Sequence, residues 1–319
     1  MIAYRRQRGV ALLVALLVVA LAVMLIAALL DRGELALART RNLLRAEQAD
    51  AYAQGMDIYA ATVLVAQVAD GPDSHSSPWA MPMPPQEVPG GFISASMRDL
   101  NGCFNLNNLS GAYKAPWEAV FARLLTTLGI DPGLKNAIED WLGTGADEQA
   151  DRNDYLAQAV PYRPRHGPFA HVSELRLVRG VSGEVYARLA PHVCVLPPGT
   201  LINLNTASVP VLQSLAANIT QAMAQKAWAD GHAQYASVDD FMTMNHLPSS
   251  AVPQGLIDVH STHFLARESI TLDGVPFTFY SLIQRGGTAF SGTAVLARSR
   301  GSDDALTQAA PVTLPQNPF

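Results

Sequence analysis

Sequence motifs of the common catalytic sites are missing from this chain of 319 residues. It has no G-x-S-x-G nucleophile elbow, no Walker phosphate loop, no H-E-x-x-H zinc motif and no C-x-x-C pair. The eight histidines are scattered along the chain and do not show the spacing of metal ligands. We therefore expect a protein that works by contact with other molecules and not by catalysis.

Cysteine and charge are also scarce. The two cysteines, Cys103 and Cys194, are too few for a metal cluster but enough for one disulfide in an oxidising compartment. Two buried free thiols are the alternative. The net charge is −5, whereas a protein that binds nucleic acid or an anionic surface needs an excess of positive charge.

One long apolar run dominates the start of the chain. Residues 10–30 are uninterruptedly hydrophobic, with Arg5, Arg6 and Arg8 before them and Asp31 after them. A helix of about 21 residues is long enough to cross a hydrocarbon core of about 30 Å. The arginines favour a cytoplasmic N-terminus, so the chain after Asp31 is expected on the far side of a membrane.

Three interpretations of this segment are open. A secretory signal usually has an apolar core of about 7–15 residues, shorter than this run, although Ala36-Leu37-Ala38 could serve as its cleavage site. A plain transmembrane anchor fits the length. The third interpretation follows from Gly9, which lies between the arginines and the apolar run, as in leaders of the type IV pilin and pseudopilin class. In that class prepilin peptidase cuts after the glycine, and the apolar helix remains as an anchor.

The helix is expected to continue well past the apolar run. Tyr52, Met56, Tyr59 and Val63 recur at spacings of three and four, which predicts one helix of about sixty residues ending before Gly71-Pro72. Its first half would lie in lipid and its second half on a soluble domain.

Loop and strand signals follow. Residues 71–91 are rich in proline, serine and glycine and are predicted to be an exposed loop. Residues 92–97 alternate as a strand, and Asn101-Gly102 after them is a two-residue hairpin signal. The asparagines beyond it are expected to bond to the backbone where the chain leaves the sheet; they are Asn105, Asn107 and Asn108.

Residues 112–262 change to helical apolar spacing. Three helix-rich units with glycine-containing turns follow one another, which resembles helix-hairpin-helix or SAM-like modules. Strand patterns return at 264–272, 275–283 and 293–298, and Asp273-Gly274 between the first two is a second hairpin signal.

The predicted fold class is α+β. A long N-terminal transmembrane/pilin helix packs on a small antiparallel sheet, which a large inserted all-α (SAM/helix-hairpin-helix-like) domain interrupts. The predicted parts are a leader at 1–9, a transmembrane segment at 10–30, pilin helix and first strands at 31–111, the inserted helical domain at 112–262, the last strands at 263–300 and a disordered tail at 301–319.

Two short segments could bind a ligand. The turn Gly180-Val181-Ser182-Gly183 could present backbone N–H groups to a DNA phosphate, but residues 112–262 carry more acids than bases, which favours a helix-packing turn. The loop after Trp141 is rich in side-chain oxygens, the ligands that calcium prefers. Its candidate ligands are Asp147, Asp151, Asn153 and Asp154. A solvated acidic loop is the alternative.

Together these features resemble the minor pseudopilin K family of type II secretion systems (general secretion pathway protein K). The resemblance covers most of the chain. It is carried by the Gly9 leader, the Asp99–Leu109 block, Asp140-Trp141, Pro168-Phe169 with Ser173-Glu174-Leu175, the Ile202–Ala207 block and the closing Phe277–Arg285 strand.

The resemblance implies cleavage by prepilin peptidase between Gly9 and Val10. It implies a single-pass protein of the bacterial inner membrane with its C-terminal domain in the periplasm. The implied partners are minor pseudopilins I, J and H and the inner-membrane secretion platform, without nucleic acid. It also implies calcium near Asp140-Trp141, where Gly143 and Gly145 stand in place of acids that the family usually carries.

One position of the apolar run indicates where in a filament this subunit would lie. Most pilins carry glutamate at the fifth mature position, and here that position is Val14. A carboxylate in hydrocarbon costs about 2.5 kcal/mol or more unless it is paired, and its partner would be the terminal amine of the next subunit. A topmost subunit has no such partner, so Val14 suits a tip subunit.

We therefore expect a subunit that initiates or caps a pseudopilus for export of folded proteins across the outer membrane. The alternative is a membrane-anchored helix-hairpin-helix protein for DNA binding and uptake.

Overall fold

The computed structural model describes residues 8–67, 71–111, 113–145, 153–158, 160–253, 255–286 and 292–301. The chain divides into two compact units, Met1–Tyr52 and Ala53–Phe319. The first unit is helical throughout its described part, and the second holds the strands and the other helices.

The first helix, α1, spans Arg8–Gln67 and has 60 residues, which confirms the predicted long helix. Alanine and leucine, both strong helix formers, dominate its sequence. Near its end, within the second unit, Ala60 and Leu64 are buried against Phe264 and Ile283 of the sheet. This apolar contact joins the last turns of α1 to one face of the sheet.

One antiparallel sheet has five strands, which lie side by side in the order 83–88, 91–99, 263–272, 275–285 and 293–300. The hairpin predicted at Asp273-Gly274 is confirmed, since Leu272 pairs with Val275 across it. Both turn residues have positive φ, 47° and 78°, as a tight two-residue hairpin turn requires. The strands are β1 (Met83–Val88), β2 (Gly91–Asp99), β7 (His263–Leu272), β8 (Val275–Arg285) and β9 (Thr293–Arg300).

The prediction of an exposed loop at residues 71–91 is wrong. This segment supplies the edge strand β1, which tolerates Pro84 and Pro85 because an edge strand leaves half of its N–H groups unpaired. Trp79 is buried and its Nε1 donates a hydrogen bond to Asp73 Oδ1 at 3.0 Å. The high proline content predicted a loop, whereas the segment contains a strand and a buried tryptophan.

The prediction of a hairpin at Asn101-Gly102 is also wrong. The chain leaves the sheet there, and the next strand, β3 (Phe104–Asn105), pairs in parallel with β4 (Val193–Cys194). Gly102 lies so close to Thr206 that an added Cβ would be 2.5 Å from the Thr206 carbonyl oxygen. The glycine therefore permits a close backbone approach and does not form a hairpin.

Between β2 and β7 lies the helical insertion, residues 104–262. The helical character predicted for residues 112–262 is confirmed, for example by the α-helices Leu134–Leu142 and Val238–Met244, while Val172–Leu177 is a 3-10 helix. The α-helices that the structure describes here are α2 (Lys114–Thr127), α3 (Leu134–Leu142), α4 (Gly183–Leu189), α5 (Val209–Ser214), α6 (Gln221–Trp228) and α7 (Val238–Met244).

The helical insertion contains an internal repeat instead of the three units predicted. Each half begins with a two-residue strand ending in asparagine: β3 pairs in parallel with β4, and β5 (Ile202–Asn203) pairs in parallel with β6 (Ile257–Asp258). Asn105 Oδ1 accepts from the Asn107 N–H at 3.1 Å, and Asn203 Oδ1 accepts from the Asn205 N–H at 2.9 Å. The same local turn thus starts both halves.

The second asparagine of each half holds an aromatic residue far along the chain. Asn107 donates to the Phe169 carbonyl at 3.1 Å and accepts from its N–H at 2.8 Å. Asn205 makes the same pair of bonds with Tyr235, at 3.1 and 2.7 Å. The bonds of Asn107 confirm the prediction that the asparagines after β2 bond to the backbone. In each half the bonds position the helix that starts three residues after the aromatic residue, at Val172 and at Val238.

Candidate functional site

The apolar run predicted to cross a membrane lies on α1. Its most apolar 18-residue window has a mean hydropathy of 3.3 and none of it is buried within the structure. Length and composition therefore allow this helix to span a membrane. The predicted cleavage positions Gly9 and Val10 are in the first turns of α1, and residues 1–7 of the predicted leader lie outside the described residues.

The two cysteines are brought together. A disulfide joins Cys103, four residues after the end of β2, to Cys194 on β4, with 5.8 Å between their Cα atoms. Around Cys194 lies a small apolar cluster. It contains Leu265 and Tyr280 of the sheet, Leu100 just after β2 and Leu196 just after β4. The bridge and this cluster connect β4 to the sheet on the face opposite α1.

The predicted calcium ligands are described in part. Asp147 and Asp151 lie outside the described residues, whereas Asn153 and Asp154 belong to a short helical turn at 153–156. The Asp154 carboxylate forms an ion pair with Arg179, whose Nη2 also lies 3.7 Å from Asp140 Oδ2. A guanidinium thus already occupies the neighbourhood of these carboxylates.

Within the described ranges, no three histidine, cysteine, aspartate or glutamate side chains are grouped as metal ligands. Because Asp147 and Asp151 lie outside these ranges, the calcium site stays a prediction.

The turn Gly180–Gly183 has a structural use. Ser182 is the N-cap of α4, and its Oγ accepts a hydrogen bond from the Val185 N–H at 3.2 Å. The hydroxyl satisfies one of the donors that a phosphate would need at a helix start. The geometry therefore agrees with the helix-packing interpretation of this turn.

A buried cluster of polar side chains lies where α1, the sheet and the helical insertion meet. We call it the polar junction and define it as Asp73, Asp99, Asn203, Ser261 and Arg285. Asp73 and Arg285 form an ion pair with both residues buried, and the Arg285 guanidinium lies 4.9 Å from the Phe264 ring centroid. A buried charge of this kind persists because it is paired and hydrogen-bonded.

Asp99 is the second carboxylate of the polar junction. It accepts hydrogen bonds from the Asn101 N–H at 2.7 Å, from Ser261 Oγ at 2.8 Å and from Thr206 Oγ1. Burial raises the pKa of Asp99 from 3.8 to about 6, because the low-dielectric interior disfavours the charged form. The hydrogen bonds oppose this rise in pKa, and the nearby Asp73 carboxylate adds to it.

Asn203 links the elements of the polar junction. Its Nδ2 donates to Ser261 Oγ at 2.7 Å and to the Asp73 carbonyl at 3.1 Å. Asp73 Oδ2 in turn accepts from the Ser261 N–H at 2.8 Å. These bonds fix how the helical insertion sits on the sheet.

Sequence reasoning did not single out Asp73, Ser261 or Arg285. A usable signal was present, since three of the blocks that carry the family resemblance each contribute a residue to the polar junction. Asp99 starts the first block, Asn203 lies in the second, and Arg285 closes the third. Their convergence on the polar junction explains why polar residues so far apart in the chain occur in these blocks.

Comparisons with known proteins agree with this architecture. Residues 102–198 and 202–260 match two family profiles, both described as type II secretion system (T2SS), protein K. Their boundaries coincide closely with the two halves of the internal repeat.

Curated relatives extend the match to most of the chain. The type II secretion system protein K of Pseudomonas aeruginosa is 35% identical over 88% of this chain and 90% of its own length. The protein of the same description from Klebsiella pneumoniae is 32% identical over 89% of this chain and 94% of its own length.

A solved structure is similar in fold as well. The crystal structure of the GspK-GspI-GspJ complex from the enterotoxigenic Escherichia coli type 2 secretion system includes a chain with a TM-score of 0.69 and 26% identity, covering 83% of this chain and 99% of that one. The DNA-uptake alternative receives no support from these relatives. The chain therefore belongs to the type II secretion system protein K family and is a minor pseudopilin of that system.

Proposed function

We propose that this minor pseudopilin occupies the tip of the pseudopilus, where it initiates or caps assembly for export of folded proteins across the outer membrane. The observation that carries the proposal is the helical insertion at 104–262, which lies between two neighbouring strands of one sheet. In a filament of stacked heads, a head enlarged in this way has room at an end and not within the shaft. Val14 supports the same position, since a topmost subunit needs no membrane carboxylate.

The proposed mechanism is assembly and not catalysis. The related solved structure is a complex of GspK with GspI and GspJ, and we propose that this chain assembles with its own minor pseudopilins I and J. Minor pseudopilin H, prepilin peptidase and the inner-membrane secretion platform are proposed as further partners. Nucleic acid is not among them.

The membrane arrangement is part of the proposal. Prepilin peptidase would cut between Gly9 and Val10, leaving a single-pass inner-membrane helix with the C-terminal domain in the periplasm. Mass spectrometry of the protein from cells with the peptidase should find Val10 as the first residue. A Gly9→Val variant should keep Met1, whereas Gly33→Ala, a change in the same helix away from the junction, should be processed normally. An intact Met1 in the unchanged protein would refute pseudopilin processing.

The tip position can be tested by labelling. Immunogold particles against the head should mark one end of each isolated pseudopilus, and cells lacking the protein should start fewer fibres. Particles spaced along the shaft, or equal numbers of fibres in its absence, would contradict the proposal.

We also propose that residues 112–262 form an inserted helical domain of the SAM/helix-hairpin-helix-like type. The described helices α2 to α7 all fall within this range. Limited proteolysis of the native protein should cut first near its two boundaries, and a first cut between α5 and α6 would count against one inserted domain.

Calcium binding by Asp147, Asp151, Asn153 and Asp154 is a further proposal. Oxygen ligands of this kind suit calcium, but Arg179 now pairs with Asp154. Calcium should therefore raise the melting temperature of an Arg179→Ala variant more than that of the unchanged protein, and Asp154→Ala should reduce the effect. Equal melting temperatures in calcium and in chelator for all three proteins would disprove the proposal.

A further inference from the structure

The two edges of the sheet differ in how open they are to pairing. Edge strands expose backbone N–H and C=O groups, and natural proteins commonly block them with proline or charge. The β1 edge carries Pro84 and Pro85. The β9 edge contains no proline, and among the described residues no further strand pairs with it. It carries two arginines, but Arg298 pairs with Asp57 and the Arg300 guanidinium lies over the Phe279 ring.

The outward-facing groups of β9 can be located from its register. The Gly301 N–H donates to the Thr278 carbonyl, so this pair faces β8. Hydrogen-bonding direction alternates along an antiparallel strand, and therefore Ser299 and Ala297 also face β8 while Arg298 directs its N–H and C=O away from the sheet. A register shift opposite Leu282 and Ile283 adds a bulge at Leu296.

Beside this edge lies an apolar groove of about 170 Å³ on the disulfide face of the sheet. Leu265, Tyr280 and Leu282 line it from the sheet, and Val193 and Val195 line it from the helical insertion. The β9 residues that border it, Ala297 and Ser299, have small side chains. A strand added to β9 would place every second side chain over this groove.

The β9 edge is also close to an exposed part of α1. Arg298 forms an ion pair with Asp57, and the next residue, Ile58, is 70% exposed. Tyr59 is exposed as well, at 52%. A neighbouring subunit whose long helix packs along α1 would therefore bring its own head next to β9.

We infer that β9 is a docking edge for an extended segment from the head of a neighbouring pseudopilin, which adds to the sheet as a sixth strand. Its backbone pairs with Arg298, and its groove-facing side chains are apolar. Main-chain bonds would give the affinity and the groove the specificity, as in other cases of strand addition. This inference rests on the proposed function, since it takes minor pseudopilins I and J as the source of the segment.

Residue-resolved hydrogen exchange tests the docking edge directly. The full-length protein in detergent micelles is measured alone and with an equimolar mixture of its minor pseudopilins I and J. Alone, the Arg298 amide should exchange much faster than the Ser299 amide. In the mixture we expect the Arg298 amide to slow by about tenfold or more, because a new backbone bond must open before exchange.

A matched pair of variants isolates the backbone contribution. Arg298→Pro and Arg298→Ala both lose the ion pair with Asp57, but proline also loses the outward N–H and blocks the edge. We expect Arg298→Pro to bind the I and J mixture about tenfold or more weakly than Arg298→Ala. Melting temperatures of the two variants show whether both are folded, and the exchange data on the unchanged protein decide the matter if either is not.

The outcomes separate the docking edge from the proposed function. If the unchanged protein does not associate with I and J, the proposed partners are wrong. If it associates while the Arg298 amide stays fast and the two variants bind equally, the docking edge is wrong and the partners stand. Slow exchange of the Arg298 amide in the protein alone would also overturn the docking edge. If deletion of residues 302–319 then removed the protection, the chain's own tail would be what covers β9. If the protection depended on protein concentration, a second copy of the chain would be what covers it.

Discussion

At the scale of single residues, the two buried carboxylates of the polar junction are stabilised in different ways. Asp73 has a cationic partner in Arg285. The hydrogen bonds to Asp99 come from a backbone N–H, two hydroxyls and an amide, all of them neutral. A carboxylate solvated by neutral donors keeps part of its desolvation penalty, which is why Asp99 should make the stability depend on pH.

The contribution of Asp99 to the free energy of unfolding should fall as pH rises through its pKa. Burial lowers the pKa of His263 to about 4, and the contribution of that residue has the opposite sign over the same range. The pKa of Asp99 is about 6 in the folded protein, raised from 3.8, so folding favours the protonated form. The stabilisation is complete below pH ~4 and lost above pH ~6, by at most about 3 kcal/mol. Urea unfolding between pH 4 and 8 measures it. The difference in unfolding free energy between the unchanged protein and Asp99→Asn isolates this contribution and should change across this pH range. The difference between the unchanged protein and the exposed control Asp239→Asn should stay constant; a constant difference for Asp99→Asn would contradict the assignment.

Both repeat asparagines should be important for stability. Asn107→Ala removes three side-chain hydrogen bonds, two to Phe169 and one to the Leu196 carbonyl, and Asn205→Ala removes two; each variant leaves buried backbone groups without these bonds. We expect a loss of about 2–4 kcal/mol in each case. Gln234→Ala, an exposed change beside Tyr235, is the control and should change stability little. Chemical denaturation measures all three, and a loss near that of the control would show that the asparagine bonds are not needed.

At the scale of elements, short sequence patterns predicted the structure correctly where the conformation depends only on neighbouring residues. Asp273-Gly274 formed its hairpin because both residues tolerate positive φ, and α3 and α7 formed where apolar spacing and neighbouring turns agreed. Asn101-Gly102 carried the same hairpin signal and did not form one. There the Asn101 carboxamide oxygen accepts from the Thr262 and His263 N–H groups, so a tertiary contact holds the chain in another direction.

The turn between β7 and β8 should depend on glycine. Gly274 has a φ of 78°, which a residue with a Cβ adopts at a cost of about 1–2 kcal/mol. Gly274→Val should lower the unfolding free energy by about that amount. Gly274→Asn should cost less, because asparagine tolerates this conformation better than other residues with a Cβ. Thermal unfolding of the pair measures the difference, and equal losses would mean that side-chain volume and not backbone conformation matters at this turn.

At the scale of the whole molecule, the sheet and the helical insertion depend on contacts between residues far apart in sequence. Asn203 reaches Asp73 across 130 positions, and Arg285 reaches Asp73 across 212. The disulfide adds a covalent link across 91 positions. Because the disulfide is one of these long-range links, its reduction should lower the stability of the unit from Ala53 onward.

Removing the disulfide should lower stability by about 4–5 kcal/mol, because the bridge restricts the unfolded chain over a long loop. A Cys103→Ala/Cys194→Ala double variant should unfold at lower denaturant concentration than the oxidised protein. Reductant should shift the unchanged protein in the same direction and have no effect on the double variant. Alkylation of both cysteines in the native, unreduced protein would show that the bridge is absent.

Short stretches of the sequence encode several features of this protein. The long α1, the tight hairpin before β8, the backbone-bonding asparagines and the family resemblance all follow from local pattern. Contacts between distant residues set the strand role of β1, the path after Asn101, the repeat in the helical insertion and the polar junction. The reason is physical: burial, pairing of buried charge and strand order depend on which distant residues meet, and no short window of sequence contains both partners.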